Sequence, residues 1–114
     1  MRAIIGVVAV GALLASACGS STSPASSCGS SGANANVNTA SSNSFSPNTA
    51  TITHGQTVCW QNSSSVAHTV TDNGGAFDTS LPVGQIFLHT YPTAGTYAYH
   101  CTIHAGMTGS IKVN

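Results

Sequence analysis

The stretch Gly95-Thr96-Tyr97-Ala98-Tyr99-His100-Cys101-Thr102-Ile103-His104-Ala105-Gly106-Met107-Thr108-Gly109 changes character at its middle. Its first part alternates with period 2, so Tyr97, Tyr99 and Cys101 share one face of a strand while Ala98 and His100 share the other. The second part is a short loop in which Cys101, His104 and Met107 offer a thiolate, an imidazole and a thioether. Sulfur donors of this softness favour copper over magnesium, calcium or manganese. The loop carries only one imidazole, so a second strong nitrogen donor has to come from a strand lying beside it.

Working outward, Ser65-Val66-Ala67-His68-Thr69-Val70-Thr71 places Val66, His68 and Val70 on one face. A single His among apolar neighbours is more often a core residue with a satisfied hydrogen bond than a ligand. Next to the Cys101 loop, His68 becomes the missing donor. From Phe45 onward the chain consists of short β-type runs broken by turn residues, the pattern of an all-β antiparallel sandwich or barrel. Thr49 to Thr53 puts Ala50 and Ile52 on one face, His54-Gly55-Gln56 turns the chain, and Thr57 to Asn62 sets Val58 and Trp60 against the core with Cys59 opposite. Asn73-Gly74-Gly75 reads as a turn and Phe77 to Pro82 as a loop. Gln85 to Tyr91 is apolar on both parities, which leaves its core face open. At the end of the chain, Ile111 and Val113 point inward and Lys112 points to water.

The 114 residues allow one domain and contain two basic and two acidic side chains, so neither a nucleic-acid surface nor an acidic docking face is expected. Arg2 followed by the apolar run Ala3 to Ala17 reads as a secretory signal, residues 1–17, too short to span a membrane. Leu13-Leu14-Ala15-Ser16-Ala17-Cys18 resembles a bacterial lipoprotein signal with Cys18 as the lipidated first residue, although Ala15 stands where Leu is commonest. Residues 18–44 are rich in Ser, Gly and Asn, and the expectation is a lipid-anchored flexible linker ahead of a folded domain at 45–114. If Cys18 carries lipid and Cys101 a metal, Cys28 and Cys59 remain, either as a disulfide in an oxidising compartment or as two unrelated thiols.

Three segments in order, Gly55 to Asn62, Ala67 to Thr71 and Gly95 to Gly109, resemble the cupredoxins of the plastocyanin and amicyanin group. The resemblance covers residues 45–114 and implies a Greek-key β-sandwich with one type 1 copper ion bound by His68, Cys101 and His104, Met107 being the weak axial ligand. Two residues between His104 and Met107 match the shorter amicyanin loop. Thr69, the residue after the first His, takes the family's place for a hydrogen bond to the Cys sulfur. His104 takes the place of the solvent-side electron exit, with Ala105, Gly106 and Pro82 around it, and His100 the place of a more remote route.

The same resemblance implies a one-electron shuttle that meets its redox donor and acceptor through an apolar patch near His104; the leader puts it in the cell envelope, a monomer is expected, and without a His-x-His motif or an acidic residue near the site an enzyme is not. A periplasmic copper carrier or store is the alternative. Such proteins bind Cu(I) through many exposed Met or His, whereas Met107 is the one Met downstream of the signal. A closed structural zinc site is disfavoured because the thioether is a poor fourth ligand.

Overall fold

The strand Thr57–Asn62, with Trp60 at its centre, has all of Val58, Cys59, Trp60 and Asn62 buried, and the rest of the molecule closes around it. The structure is a computed structural model that describes residues 27–40 and 42–114. The expected signal at 1–17 and the expected lipid site at Cys18 lie outside the described residues.

Nine strands form two sheets: β1 Ala35–Ala40, β2 Ser44–Ser46, β3 Thr49–Ile52, β4 Thr57–Asn62, β5 His68–Asp72, β6 Asp78–Leu81, β7 Ile86–Thr90, β8 Gly95–His100 and β9 Thr108–Val113. One sheet runs β2-β1-β4-β7 and the other β3-β9-β8-β5-β6. Among the described residues the only helical element is a single 3-10 turn, Cys28–Ser30. The fold is thus an all-β two-sheet sandwich. It is not wholly antiparallel, because β1 pairs parallel with β4 and β3 pairs parallel with β9.

Alternation holds where the sequence pattern is clean. Ala50 and Ile52 on β3 are buried, as are Ile111 and Val113 on β9, while Lys112 is exposed. On β7 the ambiguity resolves with Phe87 and His89 inward. Phe87 stacks on Trp60 at 5.6 Å between ring centroids and His89 packs against Phe77 at 4.6 Å, leaving Leu88 half exposed on the outer face.

Three expectations are corrected. Residues 35–40 are not part of a tether: they form β1, with Val37 and Thr39 fully buried and five residues in register with β4. Val37 is the sole strong apolar residue there, and outward Asn36 and Asn38 give the run a linker's composition. Phe77 to Pro82 contains the strand β6, an edge strand with Leu81 as its one buried residue. Val66 does not share the inward face of β5, which begins only at His68; Val66 is 44 % exposed on the loop before it. Cys59 does face away from the core, yet it is fully buried, because the 3-10 turn covers it. Cys28 and Cys59 are joined as a disulfide, and the Cys28 N–H donates to Gln61 Oε1 at 2.8 Å.

A candidate copper centre

The ligand residues come from the ends of adjacent strands. His68 opens β5, and Cys101 follows directly on β8, the two strands being antiparallel neighbours. The loop from Cys101 returns to β9 at Thr108, and it is closed on itself by backbone bonds. The Cys101 N–H donates to the Met107 carbonyl at 2.9 Å, and the Met107 N–H to the His104 carbonyl at 3.3 Å. Gly106 sits in the loop at φ 78°, a left-handed conformation natural to glycine. The loop is thus held by its own backbone as well as by the sheet.

His68, Cys101 and His104 converge with donor atoms within 4.8 Å of one another. His68 Nδ1 lies 3.1 Å from His104 Nδ1 and 3.9 Å from Cys101 Sγ, and His104 Nδ1 lies 3.6 Å from the same sulfur. His68, Cys101 and Met107 are buried, and His104 is half-buried. Burial first, and the neighbouring His104 second, hold the His68 pKa below its usual value. A thiolate and two imidazoles in a near-equilateral triangle, with a buried thioether on the same loop, are the donor set of a type 1 site.

The surroundings support the sulfur. The Thr69 backbone N–H donates to Cys101 Sγ at 3.3 Å. Thr69 Oγ1 accepts from the Thr102 N–H at 2.8 Å and lies 3.2 Å from Thr102 Oγ1, so the two ligand-bearing segments are tied together next to the sulfur. His100 stands on the opposite face of β8, its Nδ1 2.6 Å from Asn73 Oδ1. Ser64, which sequence reasoning passed over, lies behind His68, its Oγ 2.9 Å from Nε2. A serine in a polar Asn-Ser-Ser-Ser run gives no sign of facing a ligand.

A two-sheet sandwich with a His-Cys-His-Met centre at one end defines a cupredoxin. The chain belongs to the plastocyanin/azurin family of copper-binding proteins, whose family model matches residues 33–114. It is 34% identical over 83 residues to the plastocyanin of Scenedesmus fuscus, covering 60% of this chain and 85% of that one. It is 30% identical over 84 residues to the chloroplastic plastocyanin of Oryza sativa subsp. indica, covering 61% of this chain and 54% of that one, so it spans about half the length of the rice protein. Among solved structures it is similar to the purple cupredoxin of Nitrosopumilus maritimus, with TM-score 0.66, 29% identity, and 70% of this chain and 99% of that one covered. An amicyanin variant in its reduced Cu(I) form has the same TM-score and identity, with 73% and 83% covered. The residues present fit one type 1 copper ion, held by His68, Cys101, His104 and Met107.

Proposed function

We propose that the protein is a one-electron carrier of the cell envelope. The observation that carries the reading is the triangle of His68, Cys101 and His104, whose members are fixed by the sheet and by the loop's own hydrogen bonds. Copper bound there supplies reversible one-electron chemistry. The chain's part is to keep the donors in place as the charge changes, which a strand pair and a closed loop do better than mobile side chains. The Thr69 N–H draws electron density from the Cys101 sulfur and so favours the reduced site. His104, half-buried, is the exit to solvent, and His100, next to Cys101 in the backbone, is a second and more remote one.

Docking is apolar. Ile103, Val83 and Val66 are 55%, 51% and 44% exposed, and they lie on the three loops that end at the ligand side of the sandwich, with Pro82, Ala105 and Gly106 also exposed. Exposed apolar residues gathered at one end of a soluble domain mark an interaction surface. Redox proteins acting as donor and acceptor are its occupants. Export by the leader at 1–17, with lipid on Cys18 holding the carrier at a membrane, belongs to the same proposal and is supported by the sequence pattern.

The test is spectroscopic. Purified protein loaded with Cu(II) should bind one equivalent, show an intense visible thiolate-to-copper band, and bleach reversibly with one electron. Cys101→Ala should lose the band while keeping the fold. A colourless protein that takes up several Cu(I) ions would overturn the reading in favour of storage.

A further inference from the structure

Asn62 is 1% exposed and uses every polar atom of its side chain. Its Nδ2 donates to the carbonyls of Val66 and Leu81, both at 2.8 Å. Two carbonyl partners fix which end of the amide is nitrogen. Its Oδ1 then accepts from Thr39 Oγ1 at 2.9 Å, from the Ser64 N–H at 2.9 Å and from Ser64 Oγ at 2.7 Å.

These contacts decide where the protons lie. The Ser64 hydroxyl has one proton and two carbonyl-type oxygens close to it, Asn62 Oδ1 at 2.7 Å and the Val66 carbonyl at 3.0 Å. Spending that proton on His68 would leave both oxygen pairs in contact with nothing between them. The hydroxyl therefore donates to Asn62, and His68 Nε2, at 2.9 Å from Ser64 Oγ, must be the donor of the remaining bond. With its proton on Nε2, His68 presents a bare lone pair at Nδ1, the atom 3.9 Å from Cys101 Sγ.

We infer that Ser64, oriented by Asn62 and through it by Thr39 of β1, is the positioning residue that holds His68 as the Nε2–H tautomer with Nδ1 turned into the site before any metal arrives. The inference rests on His68 being a copper ligand, but the tautomer itself can be read without copper. In the metal-free protein the short contact between His68 Nδ1 and His104 Nδ1 is then bridged by the His104 proton. His68 therefore needs no tautomer change to accept copper, whereas His104 has to clear its proton from Nδ1 and Cys101 the proton of its thiol.

Ser64→Ala isolates this role because the other groups keep partners. Asn62 Oδ1 retains Thr39 Oγ1 and the residue 64 N–H, and the Val66 carbonyl retains Asn62 Nδ2. The Val66 N–H, only 3.4 Å from Ser64 Oγ and on an exposed loop, passes to water. His68 Nε2–H is the one group left without a bond. Nitrogen-15 NMR of metal-free wild type should show His68 protonated at Nε2 and bare at Nδ1. In Ser64→Ala the two tautomers should mix, copper uptake should slow severalfold, and the reduction potential and visible band should shift; Ser64→Thr should restore all four. A wild-type His68 protonated at Nδ1 overturns the inference, and so does a Ser64→Ala protein with lowered Tm but unchanged tautomer and uptake. Failure of wild type to bind copper at all would instead overturn the copper reading, leaving the tautomer to the NMR result.

Discussion

Gly109 shows how tightly single residues are constrained beside the copper centre. It lies opposite Tyr99 in the β8–β9 register, and a Cβ placed on it would stand 2.5 Å from Tyr99 Oη and 3.1 Å from the Asn48 carbonyl. Tyr99 is 1% exposed and meets Trp60 edge to face at 5.4 Å, and burial pushes its phenol up to about 12. The ring cannot retreat into the core or gain charge to escape. Gly109→Ala should therefore cost about 1 to 3 kcal/mol of stability by overpacking, measured by urea unfolding of the copper-loaded protein. A loss below about 0.5 kcal/mol, the usual scale of an inconsequential surface change, would mean that Tyr99 is free to move. From the sequence, Cys101, His104 and Met107 were legible because their chemistry is unusual and their spacing short. Ser64 and Asn62 were not, since a polar side chain's partners are set by strands that meet only in three dimensions.

At the scale of elements, β1 is the part that composition conceals. A half-buried strand needs only one inward face, and here that face is Val37 with Thr39, a polar residue satisfied by Asn62 rather than a hydrophobe. The strand lies between β2 and β4 and covers one flank of the core. A chain starting at Phe45 should fail to fold or to hold copper, whereas one starting at Ser27 should do both, as read by chemical-shift dispersion and the visible band. A folded, copper-binding fragment 45–114 would refute the place given to β1. The parallel sense of the β1–β4 and β3–β9 pairs was equally hidden, because period 2 reports which face is buried and says nothing of a neighbour's direction. Where alternation was clean, as on β3, β8 and β9, the faces read from the sequence are those in the structure.

For the molecule as a whole, the decisive property is scarcity of charge. Apart from Arg2, the only formally charged side chains are Asp72, Asp78 and Lys112. Encounter between two copies should then be nearly independent of salt. Raising ionic strength from about 10 to about 200 mM should change the electron self-exchange rate, measured by NMR line broadening, by less than roughly twofold. Ile103→Asp, which puts like charges face to face at the apolar end, should slow self-exchange roughly tenfold and make it salt-dependent. A strongly salt-dependent wild type would move docking away from the Ile103 end.

The three cysteines among the described residues have opposite chemical needs: Cys28 and Cys59 are oxidised, and Cys101 must stay reduced to hold copper as a thiolate. Any two of the three would pair in a disordered chain. In the folded one, Cys59 looks outward from the middle of one sheet under the Cys28 turn, and Cys101 is buried at the end of the other. Geometry therefore sorts the sulfurs that reactivity alone would confuse. A chain that collapses before it meets an oxidant presents Cys28 and Cys59 to each other and keeps Cys101 apart from both.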